Sequence, residues 1–170
     1  MKISTRLYGP LLVALLMFGT TIFATFPTSL GGQEATSRSQ SNPHDLSAQV
    51  TVFGNYSKDF REMEKTMQGQ EFEVLVFLDR QATTAEDRMY AANAMLRMYD
   101  GIACNQDRVD AKRILKGQLD YYVWQMDSEA TRTAGGLTFA KVPAASQTGL
   151  RMKDDLRAAK NKLEAIAASL

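Results

Sequence analysis

The sequence predicts an all-α fold: an antiparallel bundle of about four helices, preceded by an N-terminal export signal and a flexible linker. Three observations carry that expectation. Apolar residues recur at alternating spacings of three and four, most cleanly at Gly149, Met152, Leu156, Ala159, Leu163, Ile166 and Leu170, which is the seam of a coiled-coil-like helix. Four prolines and eleven glycines in 170 residues are too few for a loop-rich all-β chain. Helix start and stop signals also punctuate the second half, with Thr83-Thr84-Ala85-Glu86 spaced as a capping box and Asp100-Gly101 as a terminator. With 45% hydrophobic and 23% charged residues, the chain has the composition of a globular domain. The expected organisation is residues 1–26 as signal peptide or N-terminal anchor, 27–42 as linker and 43–170 as the helical domain.

The N-terminal segment carries Lys2 and Arg6, no acidic residue before Glu34, and an apolar run from Leu11 to Phe26. That run is closer to the core of a secretory signal, about 7–15 residues, than to the roughly 20 a spanning helix needs. Cleavage would follow Ala24 or Gly31. A retained anchor is the alternative. The expected location is periplasmic or secreted, or membrane-tethered if the segment is not cleaved. From Pro27 to Ser41 the chain is rich in Thr, Ser, Gly and Gln, and too poor in large apolar groups to offset its ordering entropy.

Asn42-Pro43 reads as the N-terminus of a first helix, with Leu46, Val50, Phe53, Phe60, Met63 and Met67 on its apolar face and Ser57 filling one gap. Gly54 weakens its middle. Phe72–Leu78 is apolar on both faces and would also suit a buried strand. Continuity of the stripe through Val74 and Phe77 favours one long helix ending near Arg80. A second helix starts at the Thr83 capping box, with Ala85, Met89, Ala92, Met95, Tyr99 and Ile102 inward. A third opens at Asn105 or Asp107, buries Ala111, Leu115, Leu119, Tyr122, Met126 and Ala130, and stops at Gly135-Gly136. A loop to about Ser146 precedes the last helix.

The residue inventory excludes more chemistry than it suggests. One cysteine leaves no intrachain disulfide and no Cys-rich zinc site, and one histidine leaves no two-histidine metal motif. No Gly-rich phosphate loop, Gly-x-Ser-x-Gly elbow or Ser-x-x-Lys is present. Glu62/Glu64 and Glu71/Glu73 have a two-residue spacing that puts the members of each pair on different helix faces. No catalysis, no metal and no resident cofactor are therefore expected. His44 reads as a solvated first-turn side chain, Cys104 as a small buried or half-buried thiol, and most methionines as flexible core filler. A bundle holding a small apolar ligand, haem or copper in its interior is the alternative.

Removing residues 1–26 leaves 18 basic and 19 acidic side chains, a net of −1, which offers no footprint for nucleic acid. Residues 34–104 hold 7 basic and 11 acidic side chains, and residues 105–170 hold 11 and 8. The expectation is that the two halves complement each other on folding. Tyr121-Tyr122-Val123-Trp124 places aromatics about 100° apart around one helix, so a single core stripe cannot hold them all. Tyr122 faces the core, which leaves Tyr121 and Trp124 as a candidate interaction surface. Arg108, Lys112 and Lys116 form a basic row on the same helix and join that surface as candidates. The expected function is contact with a protein partner, an envelope component or further copies of the chain, with the membrane involved only through residues 1–26.

Overall fold

A computed structural model describes residues 42–170; the segments expected to be an export signal and a linker lie outside the described residues, apart from Asn42. Four α-helices follow one another: α1 (Ser47–Glu64), α2 (Gln70–Asp100), α3 (Asn105–Leu137) and α4 (Pro143–Ser169). No strand occurs among the described residues. Sequential helices run antiparallel, with α1 against α2, α2 against α3, α3 against α4, and α4 returning to α1. α2 and α3, at 31 and 33 residues, are the long members, each roughly 46–50 Å from end to end.

The expected stripes supply the core. Phe53 and Phe60 of α1, Met89 and Leu96 of α2, Leu119 and Met126 of α3, and Met152, Leu156 and Leu163 of α4 are essentially inaccessible. Three of the methionines thus fill core space, while Met98 is 66% exposed. Phe72–Leu78 is helical: Leu75 and Leu78 are buried, whereas Phe72 and Val76 point outward.

The boundaries differ from expectation at three places, each for a physical reason. First, the chain does not run as one helix through Arg80. It breaks at residues 65–69, where Gly69 takes φ +64°, a conformation glycine adopts without steric cost, and the reversal lets α1 fold back on α2. Thr83 consequently lies inside α2 and caps nothing; the neighbouring Thr84 hydroxyl donates back to the Arg80 carbonyl at 2.7 Å. Second, α1 begins at Ser47 and not at Asn42. The Asn42 side chain instead accepts the His44 N–H at 2.9 Å in a local turn. The first helix runs on through Gly54 as expected, and a Cβ there would sit 2.7 Å from the end of the Glu86 side chain. Third, α3 continues through Gly135-Gly136 to Leu137, and the expected loop shrinks to residues 138–142. A Cβ on Gly136 would lie 2.6 Å from the Phe77 ring; that glycine serves packing and not termination. Pro143 then opens α4 in its first turn, where a missing N–H costs nothing.

The start of the domain is fastened to the far end of α2. His44 Nδ1 lies 2.8 Å from Asp100 Oδ1, Asn42 Nδ2 donates to Asp100 Oδ2 at 3.3 Å, and the buried Asn93 side chain accepts the Leu46 N–H at 3.0 Å. His44 is therefore a paired group with its side chain 19% exposed, and not the free solvated residue expected from its position. Lys162 of α4 closes the corner, donating to the Asp45 carbonyl at 2.7 Å and to Gln49 Oε1 at 3.0 Å.

Candidate functional site

The outward face of α3 holds the aromatic candidates. Tyr122 is half-buried against the core, and the helical turn of about 100° per residue then carries Tyr121 and Trp124 away from it. Tyr121 is 48% and Trp124 63% exposed. Their rings stack on each other, with centroids 6.0 Å apart and planes 25° apart. Gln125 Nε2 donates to the Tyr121 hydroxyl at 2.6 Å, which ties down the ring's polar end. Phe139, in the connection before α4, is itself 61% exposed and lines a cleft with Val74, Phe77 and Gly136. An exposed, mutually stacked Tyr–Trp pair is a rigid apolar surface with few rotatable bonds to immobilise on binding.

The basic row does not join that surface. Arg108 lies over the Tyr99 ring, its guanidinium carbon 5.0 Å from the centroid, so it closes the α2–α3 end by a cation–π contact. Lys112 and Lys116 are exposed, but on average they lie about 130° around the helix from Tyr121 and Trp124. Of the five candidate residues, the fold brings together the two aromatics and leaves the three cations apart. Cys104 is exposed, contrary to expectation, because it occupies the cap position before α3, where its carbonyl accepts the Arg108 N–H at 3.0 Å.

Two groups lay outside what spacing could show. Arg88 of α2 donates to Glu129 Oε1 of α3 at 2.8 Å, with side-chain exposures of 16% and 4%. Nothing local in sequence marks that pair, whose members are 41 residues apart. An apolar cleft of about 220 Å³ opens where α2 passes into α3, lined by Met95, Met98, Tyr99, Ile102, Ile114 and Leu115. No described helix is long and apolar enough to cross a membrane, and no group of three or more His, Cys, Asp or Glu able to hold a metal occurs among the described residues. No protein-family model matches this chain, and neither a curated protein nor a solved structure matches it.

Proposed function

We propose that this chain is an exported or membrane-tethered helical protein that works by contact with another protein or an envelope component, using the outer face of α3. The observation that carries this reading is the stacked and exposed Tyr121–Trp124 pair on a helix whose core direction is already filled. An indole is among the costliest side chains to leave in water, and aromatic anchors of this kind dominate binding energy at protein interfaces. The N-terminal apolar run, ahead of a linker, supports export or tethering as the way the domain reaches that partner.

Trp124→Ala tests the proposal. The variant is expected to melt within a few degrees of the parent, because the indole contributes little to the core. It is expected to weaken capture of the partner from the native envelope fraction by about 2 kcal/mol or more, as interface aromatics do. Unchanged capture, with an unchanged melt, would remove the α3 face from the function. Mass analysis of the protein recovered from that fraction would show whether residues 1–26 remain attached.

A further inference from the structure

Two helical glycines have no neighbour inside this bundle that requires a missing side chain. A Cβ at Gly54, Gly136 or Gly149 would strike the side chain of Glu86, Phe77 or Leu137 at 2.4–2.7 Å, so each packs against a neighbour. A Cβ at Gly117 or Gly135 would meet nothing within 4 Å. Gly117 sits in the middle of α3, where an exposed glycine destabilises the helix relative to alanine, and Gly135 sits in its last turn. The two lie on one face, in the series Gly117, Tyr121, Trp124, Ser128, Thr131 and Gly135. That series is spaced 4, 3, 4, 3, 4 and carries no charge. It is a second seam of heptad type, turned away from the core of its own chain: all of its members are exposed except Ser128, which is half-buried.

Two hydroxyls of this seam already donate within α3, and a third accepts a side-chain amide. The Ser128 hydroxyl donates to the Trp124 carbonyl at 3.1 Å, that of Thr131 to the Asp127 carbonyl at 3.0 Å, and the Tyr121 hydroxyl is held by Gln125. Covering the face leaves the Ser128 and Thr131 hydroxyls paired, while the Tyr121 O–H and the Trp124 indole N–H lie at the polar edges of their rings, where a partner's backbone carbonyl or water can accept from them. Glycine on such a stripe lets a second backbone come close, as small residues do wherever helices touch tightly.

Resting on the reading that the outer face of α3 is a contact surface, we propose that its occupant is the α3 of a second copy, packed antiparallel about a two-fold axis near Met126. The argument for a second copy is self-complementarity. Bulk lies toward one end of the seam (Tyr121, Trp124) and small residues toward the other (Ser128, Thr131, Gly135). In an antiparallel pair, residues opposite each other sum to a constant register. One register sets Gly117 against Gly135 of the second copy, Tyr121 against its Thr131, and Trp124 against its Ser128. Each ring then meets a small residue, and the two glycines meet where the backbones approach most closely. A parallel pairing would stack Trp124 on Trp124 and leave both glycine positions as gaps. A two-fold interface uses the same patch twice, as this register does. The paired seam is about 27 Å long from glycine to glycine, which suits a reversible dimer.

The test uses the full chain, kept soluble in a mild non-denaturing detergent, and sedimentation equilibrium over a concentration series. A monomer–dimer equilibrium is expected for the parent. Gly117→Leu, whose Cβ enters open space, is expected to raise the melting temperature of the monomer while weakening the dimer at least about 30-fold. Orientation is read in a Cys104→Ser background by mixing Gln118→Cys chains with Arg132→Cys chains and adding a short bis-maleimide. The antiparallel register yields the mixed cross-link and little of either like-with-like product. Like-with-like products in each preparation alone would overturn the register. A monomer at every concentration, or a dimer indifferent to Gly117→Leu, would overturn the second copy as occupant. Loss of envelope capture by Trp124→Ala in that monomer would show the contact surface to be real and its partner different.

Discussion

Asp45 illustrates how much one side chain does at the start of this domain. Its Oδ1 accepts the Ser47 hydroxyl at 2.6 Å and the Ser47 N–H at 3.0 Å, while its carbonyl accepts Lys162. Those Ser47 hydrogen bonds hold the carboxyl below its ordinary value of 3.8. A depressed carboxylate pKa contributes stability that is fully present above the ordinary value and is lost as the pH falls through the folded one. Ser47→Ala removes the hydroxyl hydrogen bond, the stronger of the two, so the Asp45 titration midpoint should move up toward 3.8 in a carboxyl-carbon NMR titration. A midpoint that stays put would mean the backbone N–H alone sets it. At this scale the sequence was only partly legible. His44 looked solvated because a first-turn position normally is, and its partner Asp100 lies 56 residues away. Cys104 looked buried because small thiols usually are, but a cap residue at a helix start has little to pack against.

Elements were legible where burial is periodic and illegible where a single backbone angle decides. α4 shows the first case. Every seam position from Gly149 to Ile166 is buried, and Leu163 is fully inaccessible. Leu163→Ala should therefore cost on the order of 2–5 kcal/mol in denaturant melts. Lys160→Ala, off the seam and held only by partly exposed pairs to Asp127 at 3.8 Å and Glu164 at 3.5 Å, should cost under about 0.5 kcal/mol. Equal losses would contradict the seam. The junction between α1 and α2 shows the second case. The apolar stripe runs through Met67 into Val74 with helical spacing because both helices bury a face in the same core, so periodicity carried straight over the break. Residues 65–69 separate them, and the positive φ of Gly69 makes the turn. On α3 the ambiguity was of another kind. The sequence located Tyr121 and Trp124 outside the core stripe, but a free glycine and a packed glycine look alike in sequence. What lies within 4 Å of Gly117 and Gly136 is opposite, and that difference exposed the second seam.

Across the whole molecule, the uneven charge of the two halves does not resolve as expected. Most ion pairs join groups within one half, as in Arg61–Asp79, Arg97–Asp45 and Lys160–Glu164. Among the described residues the ion pair between the α1–α2 and α3–α4 hairpins is Arg88–Glu129, and its cation comes from the acidic half. Surface charge balance is thus not what joins the hairpins; the shared core is, with one buried pair set inside it. A buried pair is costly to break but not necessarily stabilising as a unit, because the gain from pairing is set against the desolvation of both ions. Three variants separate those two quantities. Arg88→Met alone should cost about 3–5 kcal/mol, since it leaves the nearly inaccessible Glu129 carboxylate without its close cation. Glu129→Leu alone should also be destabilising, through the stranded guanidinium, but less so because Arg88 is the more exposed partner. The double variant should recover most of the loss and fall within about 1–2 kcal/mol of the parent. Raising salt should leave the Arg88→Met penalty largely unchanged, because mobile ions screen buried pairs poorly. A double variant no better than the worse single one would show the pair to be a net stabilising tie between the hairpins, holding them together beyond what apolar packing alone supplies.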